Sequence, residues 1–304
     1  MEQKISSATM FCYSIVIPHF NSPLLLTRML KSIPEREDIQ IIVVDDCSPK
    51  EVQEELAGLH HKGLEVVLQE ENHGAGAARN VGLERVKGKW VIVVDSDDEF
   101  KPDAFDVFDH EIDDETDYLC FLSDPLDENT GLPTKEFVPA NYAVEGYLKN
   151  QTRKSYNYFK YRNMVCWNKL VASSYIKKHD IRFEECEVNN DVFYALQVCY
   201  YSDRFKVLPN RLYTYYINDK SITHSKRSIE KEFQFYLQAQ KRNGYCKSLG
   251  LTHYPFYRST WLYIPFIVKK RGFVDAFRFF VHCYKNINVI KAARKQYLSI
   301  LSKQ

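Results

Sequence analysis

The stretch Trp90-Val91-Ile92-Val93-Val94-Asp95-Ser96-Asp97-Asp98 decides how the rest of this chain is read. A short, valine-rich apolar run stops abruptly at three carboxylates. Runs of this length are expected of strands buried on both faces. Carboxylates gathered at the end of such a strand repel one another unless a cation sits among them. Hard divalent cations take oxygen ligands; magnesium keeps contact with substrate phosphates, and manganese also suits carboxylate and water. The stretch therefore points to a metal–diphosphate site at the carboxyl end of a central strand. Asp and Ser are also common turn formers, so a solvated acidic turn is the plainer alternative.

Working outward, Tyr13 to Pro18 reads as the first strand, with Pro18, which lacks an N–H, at its end. Ser22-Pro23 starts a helix whose apolar stripe runs from Leu24 to Ile33. Ile39 to Val44 is a second buried strand, stopped by Asp45-Asp46-Cys47-Ser48; Ser48-Pro49 opens the next helix, through about Leu59. Leu64 to Leu68 is a third strand, and the acidic stretch is the fourth. Strands alternating with helical stretches imply an α/β domain with a mainly parallel sheet, in which ligands bind beyond the carboxyl ends of the strands. Both Asp pairs fall there. Between strands three and four, Asn72-His73-Gly74-Ala75-Gly76-Ala77-Ala78-Arg79-Asn80 is a small-residue loop entering a helix. Its N–H groups suit an anion at a helix N-terminus, and Arg79 suits a carboxylate or phosphate. It is not a dinucleotide fingerprint: Arg79 stands where the third glycine belongs, and the loop follows the wrong strand.

Length and composition fit a globular protein. The 304 residues are 45% hydrophobic and 27% charged, with a net charge of +1. That average hides a split. Residues 225–304 hold 16 Lys or Arg and 3 acidic residues, whereas the first 224 hold 25 basic and 37 acidic. A basic tail of this kind suits an anionic partner. The eight cysteines (12, 47, 120, 166, 186, 199, 246 and 283) form no CxxC pair, which argues against a zinc or redox framework. Scattered thiols and the lack of an apolar leader core in residues 1–10 lead us to expect a cytoplasmic protein. No apolar run approaches the roughly 20 residues of a membrane span.

Taken in order, Ser14-Ile15-Val16-Ile17-Pro18, Val44-Asp45-Asp46-Cys47-Ser48, Gly76-Ala77-Ala78-Arg79-Asn80 and Val94-Asp95-Ser96-Asp97-Asp98 resemble the family 2 glycosyltransferases, the inverting enzymes of GT-A fold. The likeness is close over residues 12–105 and looser to 224, through Val165-Cys166-Trp167-Asn168-Lys169-Leu170 and Tyr213-Thr214-Tyr215-Tyr216. The resemblance implies that Pro18 and Phe20 shape a base pocket and that Asp45 or Asp46 contacts the base, commonly uracil. It places Asn72, Gly76 and Arg79 by the nucleotide, and makes Asp95, Ser96 and Asp97 the DxD stretch that touches sugar and metal (Mn2+ or Mg2+). Asp98 follows as a third carboxylate. It also implies a nucleotide-sugar donor and a glycan or lipid-linked oligosaccharide acceptor in surface polysaccharide assembly. Its catalytic domain would be residues 1–224, divided into a donor half (12–105) and an acceptor half (106–224), before a helical extension at 225–304.

From Asp113 to Pro139 the chain is polar and turn-rich, with Asp117 to Leu122 a candidate edge strand. Tyr158, Tyr161 and Trp167 offer aromatic faces on the acceptor side; such rings are more often packing, and Trp167 is the best exception. An inverting transferase needs a base for the acceptor hydroxyl. The family carries an acidic residue at a helix start here, usually in a Glu-Asp pair. Asp191 in Asn189-Asn190-Asp191, ahead of the helical stretch Val192 to Tyr201, matches the aspartate. Asn190 departs from the usual Glu and leaves its own contact, to acceptor or helix, open; Glu185 and Glu187 are weaker candidates. An acid at a helix N-terminus also has a purely structural use. Phe205 to Pro209 and Arg211 to Ile217 read as two strands, and His224 beyond them is a candidate for metal or diphosphate.

Beyond Lys226 helical periodicity takes over. Apolar and aromatic residues alternate with Lys269-Lys270-Arg271 and further cations, a pattern that suits either an anionic membrane interface, met peripherally, or a helical cap. Nucleic acid is not expected, because no binding motif accompanies the charge. Two other functions compete. A sugar nucleotidyltransferase would want a glycine-rich loop after the first strand, which His19-Phe20-Asn21-Ser22-Pro23 is not. A glycan-binding descendant without activity has Asn190 as its only support, and would bind nucleotide without turnover.

Overall fold

A computed structural model describes residues 11–218, 228–249 and 260–295, with the backbone alone for 260–262. The described residues fall into two compact units, one ending at Asn218 and one holding the helices from 229 onward.

The first unit is an α/β domain. Its early elements are β1 (Tyr13–His19), α1 (Pro23–Lys31), β2 (Ile39–Asp45), α2 (Lys50–Ala57), β3 (Leu64–Leu68), α3 (Ala75–Glu84), β4 (Trp90–Val93), β5 (Glu99–Phe100) and α4 (Ala104–Glu111). There follow β6 (Tyr118–Asp127), α5 (Pro139–Lys149), α6 (Arg153–Arg162), β7 (Lys169–Ala172), α7 (Ser173–Lys178), α8 (Val192–Tyr200) and β8 (Phe205–Ile217). Every residue of β1, β2 and β4 is buried, as their unbroken apolar runs require. Helix α1 begins with Pro23 in its first turn, where the missing N–H costs nothing, although Ser22 makes no side-chain capping bond.

The strands form one sheet in the order β3–β2–β1–β4–β7–β6–β8–β5. It is parallel across β3, β2, β1 and β4, whereas β7 runs antiparallel to both β4 and β6, so the sheet as a whole is mixed. Beyond β1 the chain adds strands on one side and then returns to add β4 on the other. This makes a topological switch beside β1, and the carboxyl ends of β1, β2 and β4 open there.

Two sequence expectations change. Asp117 to Leu122 is not an edge strand: β6 lies between β7 and β8 and continues to Asp127, because Leu119, Cys120, Phe121 and Leu122 are all buried core. The two strands expected at 205–217 are one. The register of β6 on β8 jumps between Cys120 and Leu122, and this irregularity absorbs the Pro209-Asn210 break.

Lys169 shows how the interior is held. It is fully buried, and its Nζ donates to Asn163 O at 3.0 Å, Val165 O at 2.6 Å and Asn168 Oδ1 at 2.8 Å. The ammonium thereby ties the 163–168 segment to β7.

The second unit contains α9 (Ile229–Ser248), α10 (Thr260–Arg271), α11 (Phe273–Lys285) and α12 (Ile287–Lys295), the expected C-terminal helices. Phe233, Tyr236, Tyr263, Ile267, Phe279 and Ile290 form its core, with Tyr263 donating its hydroxyl to the buried Glu232 at 2.6 Å.

Lys169→Met keeps the apolar stem but leaves the carbonyls of Asn163 and Val165 without their donor. The unfolding free energy in urea is expected to fall by about 1–3 kcal/mol.

Candidate active site

Two clusters form at the carboxyl edge of the parallel strands. The first is the acidic turn after β4. Asp95, Asp97 and Asp98 each bring an oxygen within 4.8 Å of the others. Asp98 is buried; its Oδ1 accepts the Tyr216 N–H at 2.9 Å, while its Oδ2 has no hydrogen-bond partner among the described residues. Burial, then the charges of Asp97 and Asp95, push Asp98 well above the usual carboxylate range. Burial, then the Asp95 charge, push Asp97 up to about 6. A divalent cation fits this donor set: three hard oxygen ligands converge, one of them with an orphaned buried oxygen, and their mutual repulsion asks for positive charge.

Arg79 joins this turn to α8. Its guanidinium is buried, donates to Asp95 Oδ1 at 2.6 Å and to Asn190 Oδ1, and lies 5.3 Å from the centre of the Phe183 ring. The next residue, Asp191, stands at the N-cap of α8 but makes no side-chain capping bond. Its carboxyl is raised to about 6 by burial, against the lowering effect of Arg79, and Asp95 raises it further. Asn190 thus serves Arg79, which answers the departure from Glu noted above. Gly76 has a packing reason: a Cβ there would lie 2.1 Å from Glu184 O, so the bare backbone lets α3 press against the segment that leads to Asn190.

The second cluster lies after β1 and β2. His19 Nε2 accepts the Ser22 N–H at 3.1 Å, so Nδ1 carries the proton that meets Asp45 Oδ1 at 2.8 Å. Ser48 donates both its N–H and its hydroxyl to Asp45. Asp45 is therefore turned fully inward, its carboxylate engaged by His19 and Ser48. Asp46 is also nearly buried; it accepts from His73 N at 2.9 Å and Gly74 N at 2.7 Å, and its own carbonyl accepts from Asn72 Nδ2 at 2.8 Å. Pro18 is buried in β1 opposite Val44, whereas Phe20 is 52% exposed beside this corner. Asn21 and Cys47, at the two turns, both hold positive φ.

The other expected residues divide. Ser96 sits half-buried within the acidic turn. Trp167 is only 4% exposed and lies flat on Tyr213 and Tyr215, with ring centres at 5.1 and 5.6 Å, so it packs in the interior rather than offering an open face to a sugar. His224 lies outside the described residues.

The sequence reading missed several supports. Tyr213 accepts the Asp95 N–H through its hydroxyl at 3.2 Å. Arg28 of α1 donates to the Asp97 carbonyl, lies 3.7 Å over the Tyr216 ring and pairs with Glu128 at 3.4 Å. His19 likewise gave no local signal. Arg28 is a single polar residue in a segment already explained as helix, and His19 directly follows the expected end of the first strand, so only their contacts reveal them. Tyr213 and Tyr216 lay within a noted motif but were read as strand.

An α/β sheet with an acidic turn at the end of a central strand, opening at the switch beside β1, defines a GT-A-type domain. The chain belongs to glycosyl transferase family 2: the profile of that family, described as "Glycosyl transferase family 2", matches residues 14–178, more than half of the sequence. One relative is the poly(ribitol-phosphate) beta-N-acetylglucosaminyltransferase TarS of Staphylococcus aureus, 26% identical over 234 residues. That match covers 75% of this chain but only 39% of the relative. Among solved structures, S. aureus TarS 1–349 in complex with UDP-GlcNAc superposes with a TM-score of 0.57 at 19% identity, covering 96% of this chain and 92% of that one. The mannosyltransferase PcManGT of Pyrobaculum calidifontis, in complex with GDP-Man and Mn2+, gives 0.52 at 13% identity, covering 94% and 87%. At these identities the structural likeness speaks for the fold alone.

Asp46→Ala would leave the His73 and Gly74 N–H groups without acceptors and is expected to cost about 1–3 kcal/mol of stability. Hydrogen exchange should quicken at residues 72–76, and Asp46→Asn, which keeps one oxygen, should lose less.

Proposed function

We propose that this chain is a metal-dependent inverting glycosyltransferase of surface polysaccharide assembly, with catalysis in residues 1–224. The single observation that carries the reading is the Arg79 bridge, which links the acidic turn at Asp95 to the segment bearing Asp191. The donor is a nucleotide sugar, UDP-linked; the UDP-GlcNAc complex of TarS, which shares the fold, supports that choice. The base sits in the corner of Pro18, Phe20, Asp46 and Asn72, and the diphosphate and sugar lie by Arg79, Asp95 and Ser96. Asp97, with Asp95 and Asp98, would hold Mn2+ or Mg2+, which when bound offsets the charge that grows on the departing diphosphate.

The chain's own residues do the rest. Asp191, unengaged by its own helix and shifted towards neutrality, takes the proton of an acceptor hydroxyl. The hydroxyl oxygen bonds to the anomeric carbon from the face opposite the diphosphate. The carbon–oxygen bond to the diphosphate breaks, its electron pair leaves with the phosphate oxygen, and the configuration inverts. Arg79 holds Asp95 and Asn190 so that donor and base stay in register. A glycan or lipid-linked oligosaccharide is the acceptor. A lipid-linked one would bring the chain, working from the cytoplasmic side, to an anionic membrane surface.

Asp191→Asn is expected to lower kcat by about 10²–10⁴-fold with little change in donor KM. Undiminished sugar-nucleotide turnover in both Asp191→Ala and Asp97→Ala would remove the mechanism. At saturating metal the wild-type kcat/KM should fall about tenfold per pH unit below about 6, because Asp191 of the free enzyme acts only when deprotonated, and level off above it. Mn2+ affinity, measured by titration calorimetry without donor, should also weaken as pH falls through about 6, where Asp97 takes up a proton.

A further inference from the structure

Helix α11 places three kinds of side chain on successive stripes. Residues advance by about 100° around a helix. Ala276, Phe279 and Cys283 share one stripe and are buried in the core of the second unit. Phe273, Phe277 and Tyr284 fall within about 40° of one another on the next stripe. That stripe is open: the three are 80%, 68% and 75% exposed, and Val274 beside them is 67% exposed. Arg278 and Lys285, also exposed, come next around the helix. Going round α11, the order is core, open aromatic stripe, cationic edge.

Four large apolar side chains exposed along about 17 Å of helix are unusual on a surface that meets only water. The charge around them narrows the choice of what covers them. Residues 260–295 carry eight Lys or Arg against the one acidic Asp275. Asp275 is itself engaged by Arg271 at 3.0 Å and Arg278 at 3.5 Å. A second copy docking through this same face would set like charge against like. An anionic lipid surface matches both features at once, since aromatic rings sink to the headgroup boundary while Lys and Arg heads reach the phosphates.

We propose that α11 docks on an anionic lipid bilayer through Phe273, Val274, Phe277 and Tyr284, with Arg278 and Lys285 set against the headgroup phosphates. The contact is peripheral, since no helix among the described residues is long and apolar enough to cross a membrane. This gives the membrane partner of the proposed function a particular face, and it rests on α11 rather than on the transfer chemistry.

The test uses the full chain, without donor or metal, sedimented with vesicles of phosphatidylcholine alone or mixed with phosphatidylglycerol. The chain is expected to bind the mixed vesicles, to ignore the neutral ones, and to release in high salt. Phe273→Ser with Phe277→Ser should lower the partition coefficient about tenfold or more. Arg278→Gln with Lys285→Gln, on the exposed edge, should lower it about 30-fold at low salt and serves as the second probe should the aromatic variant melt early. Failure to sediment with anionic vesicles, or wild-type binding by both variants, would overturn the proposal. A concentration-dependent dimer in light scattering that the aromatic variant abolishes would also overturn it, and would give the face to a second copy. Transfer to a soluble acceptor, measured in parallel, separates the two readings: intact transfer without vesicle binding sinks only the docking face.

Discussion

Three carboxylates forced together at the end of a buried strand are the constraint around which the first unit is arranged. At the 4.8 Å within which their oxygens converge, two unit charges at an effective dielectric constant of about 20 repel by on the order of 3 kcal/mol. A turn with three such groups is untenable without counter-groups, and the fold brings them from far along the chain. Arg79 comes from α3, the Tyr216 N–H from β8 and Arg28 from α1, while the Tyr213 hydroxyl of β8 accepts the Asp95 N–H and fixes the backbone of the turn. Each engages a different part of the turn: the Asp95 side chain, the Asp98 side chain, the Asp95 N–H and the Asp97 carbonyl. What remains unanswered is charge, seen in the raised Asp97 and Asp98 and in the orphaned Asp98 Oδ2. That residue of unbalanced negative charge is what equips the turn for a cation.

The same logic explains the packing around Arg79. A guanidinium buried this deeply needs partners on more than one side. Asp95 supplies charge, Asn190 an amide oxygen, and Phe183 an aromatic face. Bringing α3 close enough for all three demands the bare Gly76 backbone against Glu184 O. The corner at β1 and β2 is built differently. There His19, Ser48 and the backbone of residues 73 and 74 absorb the two aspartates, so Asp45 and Asp46 act first as turn-formers, and the exposed ring beside them is Phe20.

Much of this was legible in the residues. Unbroken apolar runs marked β1, β2 and β4 because a strand buried on both faces tolerates little else. Ser22-Pro23 marked the start of α1, and the order of four motifs marked the family. Less legible was everything that depends on which strand lies beside which. The continuous apolar run at 119–122 was read as an edge because polar residues surround it, yet it lies between two strands. Trp167 looked like a sugar platform because an aromatic side chain has the same composition whether it faces a cleft or stacks on Tyr213.

The sequence alone therefore determined the local chemistry: where strands stop, where helices begin, which carboxylates crowd one turn, and how the basic, aromatic C-terminal helices differ from the acidic domain before them. Those properties follow from side-chain type and short-range spacing. Only the tertiary structure decided the long-range partners: Arg28 for Asp97, Tyr216 for Asp98, His19 for Asp45, Asn190 for Arg79. Such pairings join residues separated by tens to more than a hundred positions, and no periodicity carries them, because they are selected by the register of the sheet and not by their neighbours in the chain.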